Sequence, residues 1–468
     1  MTQTQPKLSK LSSTSAIRTG QNIGHFVTGS IAHHVWKMSL TGAIGLVAVF
    51  LADLLDVLFL AQLGNAAMVA GVGFAANVLF FVRSAGIAVS IAVGILVSRQ
   101  LGAGRIEWAK RFATHGSVFA FVSVCGLSWL MWYCRDGILA LLNVSAEVMP
   151  YTEAYLAWLL PSAPLLTLGF CGGHVLRAHG AASISMQVSV AAAVVNALLT
   201  PLMIFGFGWG LHGAALATVC SQVTLMLLSW WTVQKRFAML ISIRIKRLAE
   251  DTVRVVYYAF PALLSNWIAP IGGAFAARQM ASFGDEAMAG YTVVMRFAPL
   301  SMAIILALSG AIAPIIGQNV GAKRFERVEE TLKSALWFNW AVAFVVTGLL
   351  YVSREPLVGV FGLSGIAAEL LLFFCSGVTL LIGFDGMQFC AIAAFNNLGK
   401  PFYSTLANLG RLFLGTIPFV LLCKALLGAK GVLLGYFLEC SLVGVVCFWW
   451  VQQLAKRQLS QHQENKHV

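Results

Sequence analysis

Residues 98–111, SRQLGAGRIEWAKR, have a counterpart 219 residues further along at 317–330, GQNVGAKRFERVEE. Each stretch ends a long apolar run with a polar residue, a Gly-Ala pair and a burst of basic charge. Two further pairs keep the same order and nearly the same spacing: GNAAM at 64–68 with GDEAM at 284–288, and GLHGAALA at 210–217 with GAKGVLLG at 428–435. Three matches at nearly one offset mark a duplicated unit, and such self-similarity has to be found before any fold is assigned.

Composition says what is duplicated. Of 468 residues, 59% are hydrophobic and 10% charged, against roughly 25% charged in an average soluble domain. Apolar stretches of roughly 20 or more residues, enough to cross a bilayer as a helix, recur along nearly the whole chain. Twelve spans are read, near 38–62, 67–98, 112–134, 151–175, 184–206, 211–234, 255–282, 287–317, 331–353, 366–394, 402–427 and 430–453. The repeat therefore holds six spans. Because six is even, both halves start on the same side of the membrane, related by an axis along its normal, an arrangement shared by transporters whose substrate site lies between or within the halves. The fold class is all-α integral membrane, with twelve transmembrane helices in two six-helix bundles related by pseudo-two-fold symmetry. The organisation expected is a polar N-terminal segment (1–36), a first bundle (37–236), a basic linker (237–254), a second bundle (255–456) and a short tail (457–468).

A net charge of +13 raises the question of nucleic acid, but the basic residues lie in every second loop. Arg99, Arg105, Lys110 and Arg111 follow span 2, and Arg177 follows span 4. Lys235, Arg236, Arg244, Lys246, Arg247 and Arg254 join spans 6 and 7, Lys323, Arg324 and Arg327 follow span 8, Lys400 follows span 10, and Lys456 and Arg457 follow span 12. This is the bias of cytoplasmic loops, so both termini are expected in the cytoplasm, the chain in the inner (plasma) membrane, and the bilayer rather than nucleic acid as its partner. Arg135, Arg354 and Lys424 are exceptions on the opposite side. The segment before span 1, with Lys7, Lys10 and Arg18, lacks the apolar core of a cleavable signal. Nine cysteines with no C-x-x-C pair read as small core residues. No H-E-x-x-H and no G-x-x-x-x-G-K-[ST] occurs, so neither metal catalysis nor ATP is expected to drive the protein, and no cofactor is expected beyond a coupling ion.

The chemistry lies in the carboxylates held where a membrane helix disfavours them by about 2.5–3.5 kcal/mol. FLADLLDVLF (50–59) carries Asp53 and Asp56, three residues apart and so neighbours on one helical face. Both cannot be comfortably ionised in a dry site, so one is expected to bind and release a proton or cation; the alternative is a pair with Arg83. Asp385, in LIGFDGMQFC (381–390), is either a second coupling acid or the partner of Arg411 or Arg296. Glu439 reads as a structural carboxylate. Arg83, Arg278, Arg296 and Arg411 are too many for one anionic site, and are read as neutralising these acids or snorkelling. Asn196 is placed to donate to a carboxylate across a helix interface. Prolines at 161, 164, 201, 261, 270, 299, 314 and 418 suggest bent elements around a cavity. Met and aromatic residues, Met387 among them, would suit flat hydrophobic cations.

LLDVLFLAQLGNAAMVAGVG (54–73) resembles the span 1 signature of the multidrug and toxic compound extrusion (MATE) family, and SRQLGAG and IGQNVGA resemble that family's Q-x-x-GA loops. VLRAHG (175–180) is similar to its loop after span 4. The resemblance covers about residues 37–455. It implies a V-shaped pair of bundles and a secondary antiporter, not an enzyme, that exports cationic or amphipathic organic compounds in exchange for H+ or Na+. On it, Asp56 falls on the span 1 acid used for cation binding, Asn196 on the accompanying span 5 position, and Asp385 on the span 10 acid of the sodium-coupled branch. Three departures stand out: FPALLSNWIAPIGG (260–273) offers only Asn266 and Ala269 where that branch has a span 7 acid; Thr200 stands where some members have Asp; and Thr41 stands where many have a proline that bends span 1. The expected coupling acids are Asp56, Asp385 and Asp53. Asn196, Thr200, Asn266, Met387 and Gln388 complete the pocket, with Na+, where that is the coupling ion, at Asp56 or Asp385. Small organic cations are the expected partners of a monomer. The alternative is a flippase for lipid-linked oligosaccharide, which would use intramembrane arginines to hold pyrophosphate; an embedded enzyme would have to work through His174 or His179.

Overall fold

The structure, a computed structural model, describes residues 24–467, so Lys7, Lys10, Arg18 and most of the polar N-terminal segment lie outside the described residues. The first bundle comprises α1 (Ile31–Ala61), α2 (Ala66–Gly102), α3 (Ile106–Tyr133), the short α4 (Arg135–Leu141), α5 (Met149–Ala178), α6 (Ala182–Pro201) and α7 (Gly210–Phe237). The second comprises α8 (Ile245–Ala281), α9 (Asp285–Gly321), α10 (Phe325–Val360), α11 (Gly365–Ser376), α12 (Ile382–Asn397), α13 (Phe402–Gly410) and α14 (Ile417–His467). Among the described residues 11 helices are long and apolar enough to cross a membrane, and one of these, Phe402–Glu464, folds back on itself and supplies two spans. The total is the twelve read from the sequence. Span 10 is divided between α11 and α12, which a 3₁₀ turn (Val378–Leu381) joins.

The reversal in α14 falls at Gly428, whose φ of 62° and ψ of −132° belong to backbone that disfavours a Cβ. The arms then close without side chains between them. A Cβ on Gly431 would lie 1.8 Å from the Cys423 carbonyl oxygen, and one on Gly435 2.5 Å from that of Phe419. Small residues four apart allow this backbone contact in a membrane, where dispersion rather than the hydrophobic effect holds helices together. In span 1 the Thr41 hydroxyl donates to the Lys37 carbonyl at 2.6 Å, and α1 runs unbroken from Ile31 to Ala61.

The two bundles meet at the end that carries the basic loops, and the contact is built on the repeat. A Cβ on Gly102 would stand 1.9 Å from the Gln318 carbonyl oxygen, and a Cβ on Gly321 2.0 Å from that of Arg99. Gly102 and Gly321 are 219 residues apart, as are Arg99 and Gln318. Repeat-related glycines thus press on repeat-related carbonyls, and the pseudo-two-fold axis passes between them. The chain entering α1 ties this seam from outside: the Phe26 amide donates to Gln318 Oε1 at 2.7 Å, Gln318 Nε2 donates to the Ala178 carbonyl at 2.6 Å, and Arg324 and Arg327 donate to the carbonyls of residues 26–29. The linker is held in the same region, where Asp251 accepts from Arg111 Nε at 2.6 Å and meets His115 Nδ1 at 2.7 Å.

Deeper in, the last contacts are Trp267 Nε1 donating to Ser84 Oγ at 2.8 Å, Asn266 reaching the Ser84 carbonyl, and Gly42 against Ala307. Beyond that level no hydrogen bond or ion pair joins the bundles among the described residues, so they diverge into a cleft that widens away from the basic loops.

Two glycines test the hairpin. Gly431→Ala is expected to lower the melting temperature in detergent by several degrees, because its methyl group meets a carbonyl. Gly348→Ala, where a Cβ meets nothing within 4 Å, is expected to leave it unchanged or raise it, as alanine is the better helix former by about 1 kcal/mol. Differential scanning fluorimetry of the two purified variants reads both signs.

Candidate functional site

Asp56 lies inside the first bundle between α1, α6 and α7. Thr200 Oγ1 donates to its Oδ1 at 2.7 Å, and Asn196 and Tyr155 lie close by. Thr200 sits one residue before Pro201, after which the helix loosens into a π-helical stretch (Leu202–Gly206). That local widening is the usual signature of a proline or a functional position in a helix. Thr218 Oγ1 has one proton and two acceptors in reach, the Ala214 carbonyl at 3.1 Å and Asp56 Oδ2 at 3.4 Å. The nearer acceptor takes the proton, which leaves Oδ2 with unused accepting capacity. All the near neighbours of Asp56 are neutral oxygen or amide groups, and no Lys, Arg or His lies within ion-pair distance of it among the described residues. A carboxylate so placed accepts a proton, or a hard cation ligated by oxygen.

The second bundle holds a different arrangement. Arg411, in the π-helical stretch Arg411–Thr416, donates Nη2 to Asp385 Oδ1 at 2.9 Å and Nε to Glu439 Oε1 at 2.6 Å. Thr416 also donates to Glu439, and Cys440 Sγ lies 3.0 Å from both Asp385 Oδ1 and Gln388 Oε1. Asp385, Glu439 and Cys440 present ligand atoms within 4.8 Å of one another. The guanidinium already fills the place of a cation between the two carboxylates. Of the two partners read for Asp385, the structure selects Arg411, and it brings Glu439 into the same network.

The residues read as one pocket fall in three places. Asn196 and Thr200 surround Asp56; Gln388 and Met387 lie beside Asp385, with Met387 packed into the apolar core of the second bundle; Asn266 sits on the seam between the bundles. Asp53 is exposed, one turn from Asp56, and no ion pair reaches it. The sequence reading missed Thr218, Thr416 and Cys440. Hydroxyls and thiols carry little insertion penalty, so nothing in the pattern of apolar residues singles them out.

Two six-span bundles joined at the end of the basic loops, with a buried carboxylate in one of them that has no basic partner among the described residues, are the architecture of a membrane transporter. The chain belongs to the MATE family: the family model MatE matches it twice, over residues 43–202 and 261–422. Among curated proteins it is 28% identical over 440 residues to an FAD transporter of Shewanella oneidensis, covering 92% of this chain and 96% of that protein. It is 24% identical over 446 residues to the multidrug export protein MepA of Staphylococcus aureus, covering 93% and 97%. Among solved structures, the Vibrio cholerae MATE transporter VcmN in its bent form superimposes with a TM-score of 0.86 at 24% identity, covering 92% of this chain and 98% of that one. That likeness establishes the fold.

Arg411→Met strands two buried carboxylates and is expected to destabilise the protein by about 3–5 kcal/mol, the usual effect of removing one partner of a buried pair. Adding Asp385→Asn and Glu439→Gln is expected to recover most of the loss. Urea or thermal unfolding of the single and triple variants in one detergent measures both.

Proposed function

We propose that the chain is a secondary antiporter that exports organic compounds from the cytoplasm in exchange for H+ or Na+ bound at Asp56. The observation that carries this reading is the contrast between the buried carboxylates. Asp385 and Glu439 share Arg411 and Asp251 has Arg111 and His115, whereas Asp56 alone among them has no basic partner within ion-pair distance among the described residues. A gradient-driven carrier needs such a group, because a site whose charge is already cancelled by a fixed guanidinium gains nothing from an incoming cation. Cation binding at Asp56 would draw in Thr200, Thr218 and Asn196 and repack α1 against α6 and α7. If the two shapes of that bundle differ in affinity for substrate, linkage makes each ligand alter the binding of the other by the same factor.

The loop charges support cytoplasmic termini and residence in the plasma membrane. Organic cations are the substrates suggested by the multidrug export relatives, and flavin adenine dinucleotide is added by the Shewanella relative. Asp385 acts in this reading through Arg411, as part of the scaffold of the second bundle.

In cells without their own pumps, the wild type is expected to export ethidium or flavin, and Asp56→Asn at equal expression to export neither. Collapsing the proton and sodium gradients in turn names the coupling ion. Full export by Asp56→Asn would remove Asp56 from the cycle.

A further inference from the structure

Four arginines lie at membrane depth, and only Arg411 is used to neutralise acids. Arg83, Arg278 and Arg296 take part in no ion pair and no side-chain hydrogen bond among the described residues. Helical register shows where they face. Arg296 precedes Ala307 by eleven residues, three turns of α9, and Ala307 is the residue that touches Gly42 across the seam. Arg278 follows Trp267 by the same eleven residues on α8, and Trp267 is the residue that bonds Ser84 across the seam. Both are exposed. They therefore lie on the faces the second bundle turns toward the first, about 16 Å beyond the points where the bundles part. Asp53 follows Gly42 by eleven residues, which puts it on the face of α1 that turns toward α9.

The cleft thus carries two guanidiniums and one carboxylate on its facing walls, Arg278 in the last turn of α8 and Arg296 three turns inside α9. An unpaired arginine at the centre of a membrane helix is disfavoured by about 2.5–3.5 kcal/mol, so Arg296 requires a water-filled space and rewards an anion in it. At the floor, Phe81 meets Trp267 edge to face, with ring centroids 5.8 Å apart, and Phe80 and Phe81 are 40% and 45% exposed. A flat ring can stack there while the guanidiniums above bind phosphate or carboxylate in their planar fork.

We propose that the cleft recognises an aromatic organic anion carrying two or more negative charges, of the organophosphate class, with Arg296 and Arg278 as its specificity-determining residues and the Phe81–Trp267 floor as its stacking platform. This rests on the exporter reading and names its substrate class. Asp56 keeps its place as the cation site inside the first bundle, so substrate and coupling ion have separate seats and opposite charges.

The test uses the full chain, purified and reconstituted in liposomes, with flavin adenine dinucleotide and ethidium as probes under the same imposed gradients. Binding of the dinucleotide to detergent-solubilised protein is followed separately by flavin fluorescence. The wild type is expected to bind and move the dinucleotide. Arg296→Gln and Arg278→Gln are expected to weaken its binding and raise its KM by about tenfold or more, the usual worth of a charge-assisted bond. Arg296→Lys should recover part of the loss, and Lys333→Gln, on the outer surface of α10, should behave as wild type. Transport of ethidium but not of the dinucleotide would overturn the anion assignment and leave the exporter reading intact. Equal dinucleotide binding by wild type and both glutamine variants would overturn the role of the arginines. A natively melting protein that moves neither probe would overturn both readings.

Discussion

The contact on which the molecule depends is the crossing of α2 and α9 at Gly102 and Gly321. Each glycine lies against a carbonyl of the other repeat, closer than any side chain allows. Gene duplication made the two positions equivalent, and the pseudo-two-fold axis can pass between them only if both lack a Cβ. From that point the two bundles lean apart. The basic loops gather at the same end, so the side where the bundles join is also the side whose charge orients the chain in the membrane.

Within that symmetric frame the two interiors have diverged. The first bundle holds a carboxylate among hydroxyl and amide groups. The second holds two carboxylates around a guanidinium. In a medium where ionic groups are poorly solvated, the first carboxylate has only neutral hydrogen-bond donors about it, and the second pair is neutralised by the guanidinium between them. A π-helical stretch accompanies each, at Leu202–Gly206 and Arg411–Thr416, where the loosened backbone makes room beside the polar group. One half is equipped to change its ionic state and the other to hold its shape.

Much of this was legible before any coordinates. The twelve spans follow from apolar runs and the repeat from matches at one offset, because bilayer thickness acts on sequence directly. Asp56 stood out because an acid in an apolar run carries a large penalty. What could not be read was pairing. Asp385 had two arginines to choose from, and the choice of Arg411 over Arg296 is made by how α12 and α13 pack, which no periodicity records. Glu439, read as a structural carboxylate, gets its partners Arg411 and Thr416 from the same packing. Of the four arginines expected to neutralise acids or snorkel, Arg411 pairs with two buried acids, and Arg83, Arg278 and Arg296 make no ion pair among the described residues. Thr200 read as a departure from the family pattern. In the fold its hydroxyl donates to Asp56, which the aspartate found there in some relatives could do only when protonated.

The strap formed by residues 24–29 has a consequence for how the bundles can part. Phe26 is bonded to Gln318, Asn319 and Arg327, and Gln318 in turn holds the Ala178 carbonyl in the other bundle. These bonds share donors and acceptors, so they cannot open one at a time without leaving buried polar groups unmet. Parting the bundles at this end therefore requires the chain ahead of α1 to peel away as a unit. A bulky addition grafted just ahead of residue 24 would therefore act on the seam between the bundles, far along the chain from Asp56 and Arg411.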